Sequence, residues 1–345
     1  MANIVRPAYD PEKESSRNPI VPARENFRLA FSGEKPYWMP HVSMFGGDMV
    51  AFRPRVFPDN LATRAIIDGE PPIEWTSNVG TGYFGLQWVF VNQVGGATVK
   101  PGAPLIEDMN DWEEKLVWPD LDELDWEGLG KNNKEYLGGG TFSEIAMLDG
   151  CWERLISLMD VSGAAMAMID EDQHDALIRF FTKYTDLEIE EIRRVKEVCD
   201  ISCVLIHDDW GHQNSSFFSL ATAREMLLPN LKRLIDAVHD MGLYYEQHSC
   251  GYCTEMVPAY MEAGVDLWCP QPLNDLDRIT KECEGSRLHI GMDIPGVTPA
   301  TPPEEAVEAA RKWFDKYGDR QVFYSGMNAA AAEELYRLSR ISYAG

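Results

Sequence analysis

The sequence predicts an α/β fold, a (β/α)8 TIM-type barrel carrying an N-terminal elaboration. Three observations predict it: a regular alternation of short β-rich runs with helical segments, a chain length that suits one large barrel, and no glycine-rich phosphate loop leading into a helix. Strands joined by helices at this spacing imply βα units and a parallel sheet. The runner-up, an open doubly wound sheet, would be expected to carry GxxxxGK[ST], which does not occur, or a GxGxxG that opens a helix; the GxGxxG present, "GTGYFG" (80–85), runs instead into the apolar hairpin segment "LQWVFV".

The rhythm is strongest in the second half. "SCVLIHDD" (202–209) precedes a helix over about 221–241, and "LYYEQHSC" (243–250) precedes one ending near 263. "DLWCPQ" (266–271), "RLHIGMD" (287–293) and "QVFYSG" (321–326) follow, each with a helix-compatible segment after it. Glycines ahead of strands, as in "HDMGLYY" and "MEAGVDLW", suit helix C-caps. In the first half "ENFRLAF" reads as a helix and "YWMPHVSM" as a strand. "FGLQWVFVNQVGGATVKPG" reads as a hairpin with a glycine turn, and "TFSEIAML" (141–148) as a further strand before helices from Trp152 to about Val198. That makes seven candidate strands, one short of eight, with the elaboration at 50–135. Residues 1–21 read as a polar arm and 22–345 as one domain.

With 31 basic and 56 acidic residues, the net charge of −25 would repel a phosphate backbone, so nucleic acid is an unlikely class of partner on charge alone. No apolar stretch of about 18 residues suggests a membrane span, and the opening "MANIVRPAYDPEKESSRNP" is polar rather than leader-like. Seven cysteines scattered over the chain suggest a reducing cytoplasm, with thiols free or metal-bound.

"EQHSCGYC" (246–253) concentrates chemistry. Side chains two apart on a strand share a face, about 6.6 Å apart. Tyr244, Glu246, His248 and Cys250 therefore line one face, and an imidazole and a thiolate so placed can converge on zinc. Gly251 would let the chain turn sharply after them. Two other readings stand beside this one. Cysteine here can be only a small buried hydrophobe, or Cys250 and Cys253 can form a CxxC redox pair, although such pairs normally open a helix in a smaller thioredoxin-like unit.

"HSCG", "PAYMEAGVDLWCPQP", "HDDWG", "ARENFRLAFSGEKPYWMP" and "GGATVKPGAPLIEDMNDWEE" together resemble the uroporphyrinogen decarboxylase superfamily, in the right order from about residue 22 onward. The resemblance implies a (β/α)8 barrel with its cleft at the strand C-termini. Its metal-free decarboxylases carry an arginine-rich N-terminal motif and a C-terminal GHG. Here Arg53 and Arg55 stand in "FGGDMVAFRPR" without that motif, and "YSGMN" (324–328) replaces GHG. The other branch comprises zinc-dependent methyltransferases working with a corrinoid protein, whose ligands resemble H-x-C plus a later cysteine. His248 and Cys250 match the pair, while Ser325 and Met327 stand where the later cysteine would fall. Cys253, Cys269 and Glu246 are alternative third ligands, with Cys269 preferred because "DLWCPQ" ends at the same barrel face.

The reading is thus a zinc methyltransferase moving a methyl group between a small methoxy, thiol or amine substrate and a corrinoid protein. A metal-free decarboxylase or lyase and a non-catalytic binding subunit are the alternatives, and a homo-oligomer is compatible with all three. Asp208 or Asp209 would orient His248 or act as acid or base, with Glu246 as a further acid–base group. His41, His207, Tyr244 and Asp293 are expected to line the substrate pocket, with His212, Met44, Trp75, Trp88 and Trp210 as weaker candidates.

Overall fold

A computed structural model describes residues 6–42, 48–52, 80–81, 83–91, 96–100, 102, 104–134, 137, 140, 142–147 and 150–344. The strands in chain order are β1 (Met49–Phe52), β2 (Gly80–Thr81), β3 (Gln87–Val91), β4 (Gly96–Val99), β5 (Phe142–Met147), β6 (Cys203–His207), β7 (Tyr244–His248), β8 (Leu267–Trp268), β9 (His289–Met292) and β10 (Val322–Tyr324). Strands β2, β3 and β4 form a separate antiparallel sheet, so the hairpin predicted near 84–102 is present. The other seven form one parallel sheet in the order β1-β5-β6-β7-β8-β9-β10. From β5 onward each strand lies beside the next in sequence, with helices on the connections. Strand β6, "CVLIH", is apolar almost throughout because helices and barrel interior bury both its faces.

The two edges of this sheet approach one another. His41 forms a parallel bridge with Tyr324 of β10, with Val42 N donating to Tyr324 O at 2.8 Å and Tyr324 N to Pro40 O at 3.0 Å. Asp48 N donates to His41 O at 2.6 Å, immediately before β1 starts at the opposite edge. The half-buried Asp48 carboxylate accepts from Trp38 Nε1 (2.7 Å) and His41 N (3.0 Å). The sheet is therefore curled and barrel-like. It differs from the prediction at its start: the described part of "YWMPHVSM" (37–42) forms a one-residue bridge, and the edge strand lies at β1. Pro40, which has no N–H to donate, limits pairing there. Among the described residues there are seven parallel strands and a bridge, not eight strands. Met44, Arg53, Arg55 and Trp75 lie outside the described residues, as does the side chain of Trp88.

The helix Ala23–Phe31 plugs the N-terminal end of the sheet. Its Phe27 stacks on Phe142 with ring centroids 4.1 Å apart, and Phe31 packs on Tyr244 at 4.5 Å. The expected polar arm is fastened rather than free. Glu14 accepts from Arg340 Nε (2.6 Å) and Nη2 (2.9 Å) and from Tyr336 Oη (2.7 Å), on the C-terminal helix Ala329–Ser342. Ser16 adds a bond to Glu333 at 2.6 Å.

Both partners of the Glu14–Arg340 pair are essentially inaccessible, at 1% and 0% side-chain exposure, so removing one leaves a buried charge. Arg340→Met should lower unfolding stability by about 3–5 kcal/mol in a urea titration. Burial alone would raise the Glu14 pKa, but bonds from Arg340 and Tyr336 outweigh it and hold the carboxyl below its ordinary value. Its contribution is thus complete above that ordinary value and fades as pH falls towards the lowered one. A variant as stable as wild type at neutral pH would contradict this.

Candidate metal centre

The parallel register of β6 and β7 builds the site. His207 and His248 are paired neighbours at the last position of each strand, with ring centroids 4.2 Å apart. Alternation continues into the following residues. Asp208 turns away from the sheet interior and accepts from Glu153 N at 2.9 Å and Trp210 Nε1 at 2.7 Å. It thereby caps the helix Cys151–Ala167, whose own N-cap is Gly150, without a side chain to do so. Burial pushes the Asp208 pKa up to about 7. Asp208 therefore has a structural role, which corrects the expectation that it could orient His248 or act as the acid.

Asp209 turns inward. Its Oδ1 accepts from Cys250 N at 2.7 Å and lies 3.7 Å from His248 Nε2, while Cys250 Sγ lies 3.3 Å from the same nitrogen. One ligand atom from each of Asp209, His248 and Cys250 falls within 4.8 Å of the others, a possible metal-binding triad. Two loops must cross closely to achieve this. A Cβ on Gly211 would lie 2.6 Å from Cys253 Sγ, and one on Gly251, whose φ is +79°, would collide with Gly211 and His212 N.

Burial, then the Asp209 carboxylate, then Glu153 and Cys253, push the Cys250 thiol up to about 12. The group is thus a poor thiolate on its own, and a bound cation is what would reverse that. The donor set, an imidazole nitrogen, a thiolate sulfur and a carboxylate oxygen, is one that zinc accepts.

The third expected ligand is not where it was predicted. Cys269 does not join the triad; its thiol hydrogen-bonds Glu246 and is pushed well above its ordinary range, by burial first and by the Glu246 and Glu144 carboxyls next. Cys253 is fully buried, with Sγ 3.0 Å from Ser249 Oγ, and all seven cysteines are free thiols. Glu246 lies one pleat below His248, buried, and shares a hydrogen bond with Glu144 of β5; burial raises its pKa. Glu144 was not singled out from the sequence. Its signal is an acid in the middle of the apolar run "FSEIAM" on a strand buried on both faces.

Asp293 follows β9, its Oδ1 3.4 Å from Ser325 Oγ and its pKa raised by burial. His41 Nε2 lies 2.6 Å from Gly326 O. These two stand at the same end of the sheet as the triad, and Cys269 lies between, within electrostatic reach of Asp293. Tyr244 does not: it packs at the N-terminal end against Phe31 and Phe142, so its expected place in the pocket is corrected. His212 is exposed and bonded to Ser215 Oγ at 2.7 Å, and Trp210 is wholly buried.

No protein-family model matches the chain, and no curated protein matches it. Among solved structures it is similar to a methyltransferase from Methanosarcina mazei, with a TM-score of 0.63, 16% identity, and coverage of 94% of this chain and 98% of that one. A second is a B12-independent methionine synthase from Shewanella sp. W3-18-1, with a TM-score of 0.42, 10% identity, and coverage of 72% and 70%. The first likeness establishes a shared fold of the α/β, TIM-barrel-like type. Among the described residues no helix is long and apolar enough to cross a membrane.

Because Asp208 supplies a helix cap, Asp208→Ala should cost about 1–2 kcal/mol in thermal or urea unfolding without emptying the triad of metal. Unchanged stability, or loss of bound metal equal to that of a triad variant, would contradict the assignment.

Proposed function

We propose that the chain is a zinc-dependent methyltransferase that exchanges a methyl group between a small methylated substrate, of methoxy, thiol or amine type, and a corrinoid protein. The observation that carries this reading is the convergence of Asp209, His248 and Cys250 at the strand C-termini, where barrel enzymes place their chemistry. The fold shared with the Methanosarcina methyltransferase agrees with it.

Asp209, His248 and Cys250 would hold the metal, with Asp209 taking the place expected for Cys269. Three protein ligands leave a coordination position for substrate, and zinc there supplies Lewis acidity towards the oxygen, sulfur or nitrogen from which methyl departs or to which it is added. The chain's own residues do the rest. The Asp209 carboxylate ties the Cys250 backbone and faces His248, so the loop after β6 fixes the geometry of both donors on β7. His207, its ring packed beside that of His248, restrains that ring's rotation. Glu246, buried against Glu144 one pleat below the donors with its pKa raised by burial, would be the group that protonates a leaving oxygen or sulfur. Asp293 and His41, at the same end of the sheet, would position the substrate.

Metal analysis tests the reading. Wild-type protein should contain close to one zinc per chain, and His248→Ala, Cys250→Ala and Asp209→Ala should each lose most of it while remaining folded by circular dichroism. Zinc retained by all three variants, or no zinc in the wild type after loading, would overturn the proposal.

A further inference from the structure

The strands run parallel, so the residues that open β9 and β10 lie at the end of the sheet opposite the triad. There the segments 32–36, 285–287 and 318–321 line an open cavity of about 800 Å³. That lies within the usual range for small-molecule sites.

At its base His289 is 7% exposed, stacked on Phe323 (4.8 Å) and set edge-on against Phe31 (5.3 Å). Its Nδ1 lies 3.0 Å from Arg287 O. A carbonyl only accepts, so Nδ1 carries the hydrogen. Burial lowers the imidazole pKa to about 4, so the ring is neutral near pH 7. Nε2 is then a bare acceptor, with no donor to it among the described residues, and His289 lines the cavity.

Three cations line the same space. Arg287 bonds Asp266 through Nε, which leaves its terminal nitrogens for a ligand. Arg320 spends Nη1 on Thr280 Oγ1 at 2.9 Å and faces the cavity with the remainder. Lys35 Nζ sits 4.8 Å over the Tyr343 ring with no acid paired to it among the described residues. Two acids, Glu34 and Asp319, also contribute, and Glu34 lies 4.0 Å from Arg28. The lining thus sets three cations against two acids, with Asp266 behind Arg287, in a chain whose net charge is −25.

We propose that this cavity is a second binding site for a small hydroxylated organic anion, a phosphate ester or a carboxylate, separate from the triad. Its charged end meets the forked guanidiniums of Arg287 and Arg320 and the Lys35 ammonium, which suit either headgroup. Its hydroxyl donates to Nε2 of His289, and the aromatic base excludes water from that bond.

Calorimetric titration with glycerol 3-phosphate and with glycerate, against glycerol and sulfate as controls, tests the site. At least one hydroxylated anion should bind saturably, and the stronger of the two identifies the headgroup. Arg320→Met and Lys35→Met, at the rim, should each weaken it about tenfold. His289→Phe keeps the stacking and should weaken the hydroxylated anion while leaving sulfate unchanged. Zinc content should be unaltered in all three, so the result is read independently of the triad. Absence of saturable binding by both anions, or affinities in Arg320→Met and Lys35→Met equal to wild type, would overturn the proposal.

Discussion

The candidate site rests on the pairing of β6 with β7. His207 and His248 sit side by side at the ends of these strands, so the residues two further on, Asp209 and Cys250, emerge on the same side and meet. Side chains alternate with period two along a strand. A slip of one residue in β7 would turn His248 and Cys250 outward, and one in β6 would bring Asp208 into the cleft in place of Asp209. The parallel sheet, the helices and barrel interior that bury the two faces of β6, and the close loop crossing at Gly211 and Gly251 all serve to hold that register.

What is held there is unfavourable without a cation. A half-buried thiol stands beside a carboxylate, with a second acid, Glu153, near enough to raise it further. One pleat below, two carboxyls lie buried together with the Cys269 thiol. Buried acids of like charge cannot all ionise, so the interior stores protons and the mouth calls for a positive charge. Such an arrangement costs stability, which the surrounding aromatic and aliphatic core offsets.

Much of this was legible in the sequence. The βα rhythm, the hairpin and the His248–Cys250 pair follow from periodicity and spacing. The choice between Asp208 and Asp209 did not, because "CVLI" is buried on both faces and gives no parity from which to count. Tyr244 illustrates a second limit: it shares a strand with His248, but four residues of extended chain separate opposite ends of the sheet. Cys269 follows the two-residue strand β8 and was placed by its proximity to the barrel mouth, whereas its thiol goes to Glu246. Over the described part of "YWMPHVSM" (37–42), Pro40 and a single bridge at His41 stand where a strand is expected, so seven parallel strands rather than eight are seen among the described residues. The arm's attachment through Glu14 was hidden because its partner, Arg340, is 326 residues distant.

The most direct measurement is X-ray absorption at the zinc edge of the metal-loaded protein. One sulfur at about 2.3 Å, with all remaining neighbours nitrogen or oxygen, is the shell that Asp209, His248 and Cys250 predict. Two or more sulfurs would bring Cys253 or Cys269 into the coordination sphere and contradict the account; a shell without sulfur would remove Cys250 from it.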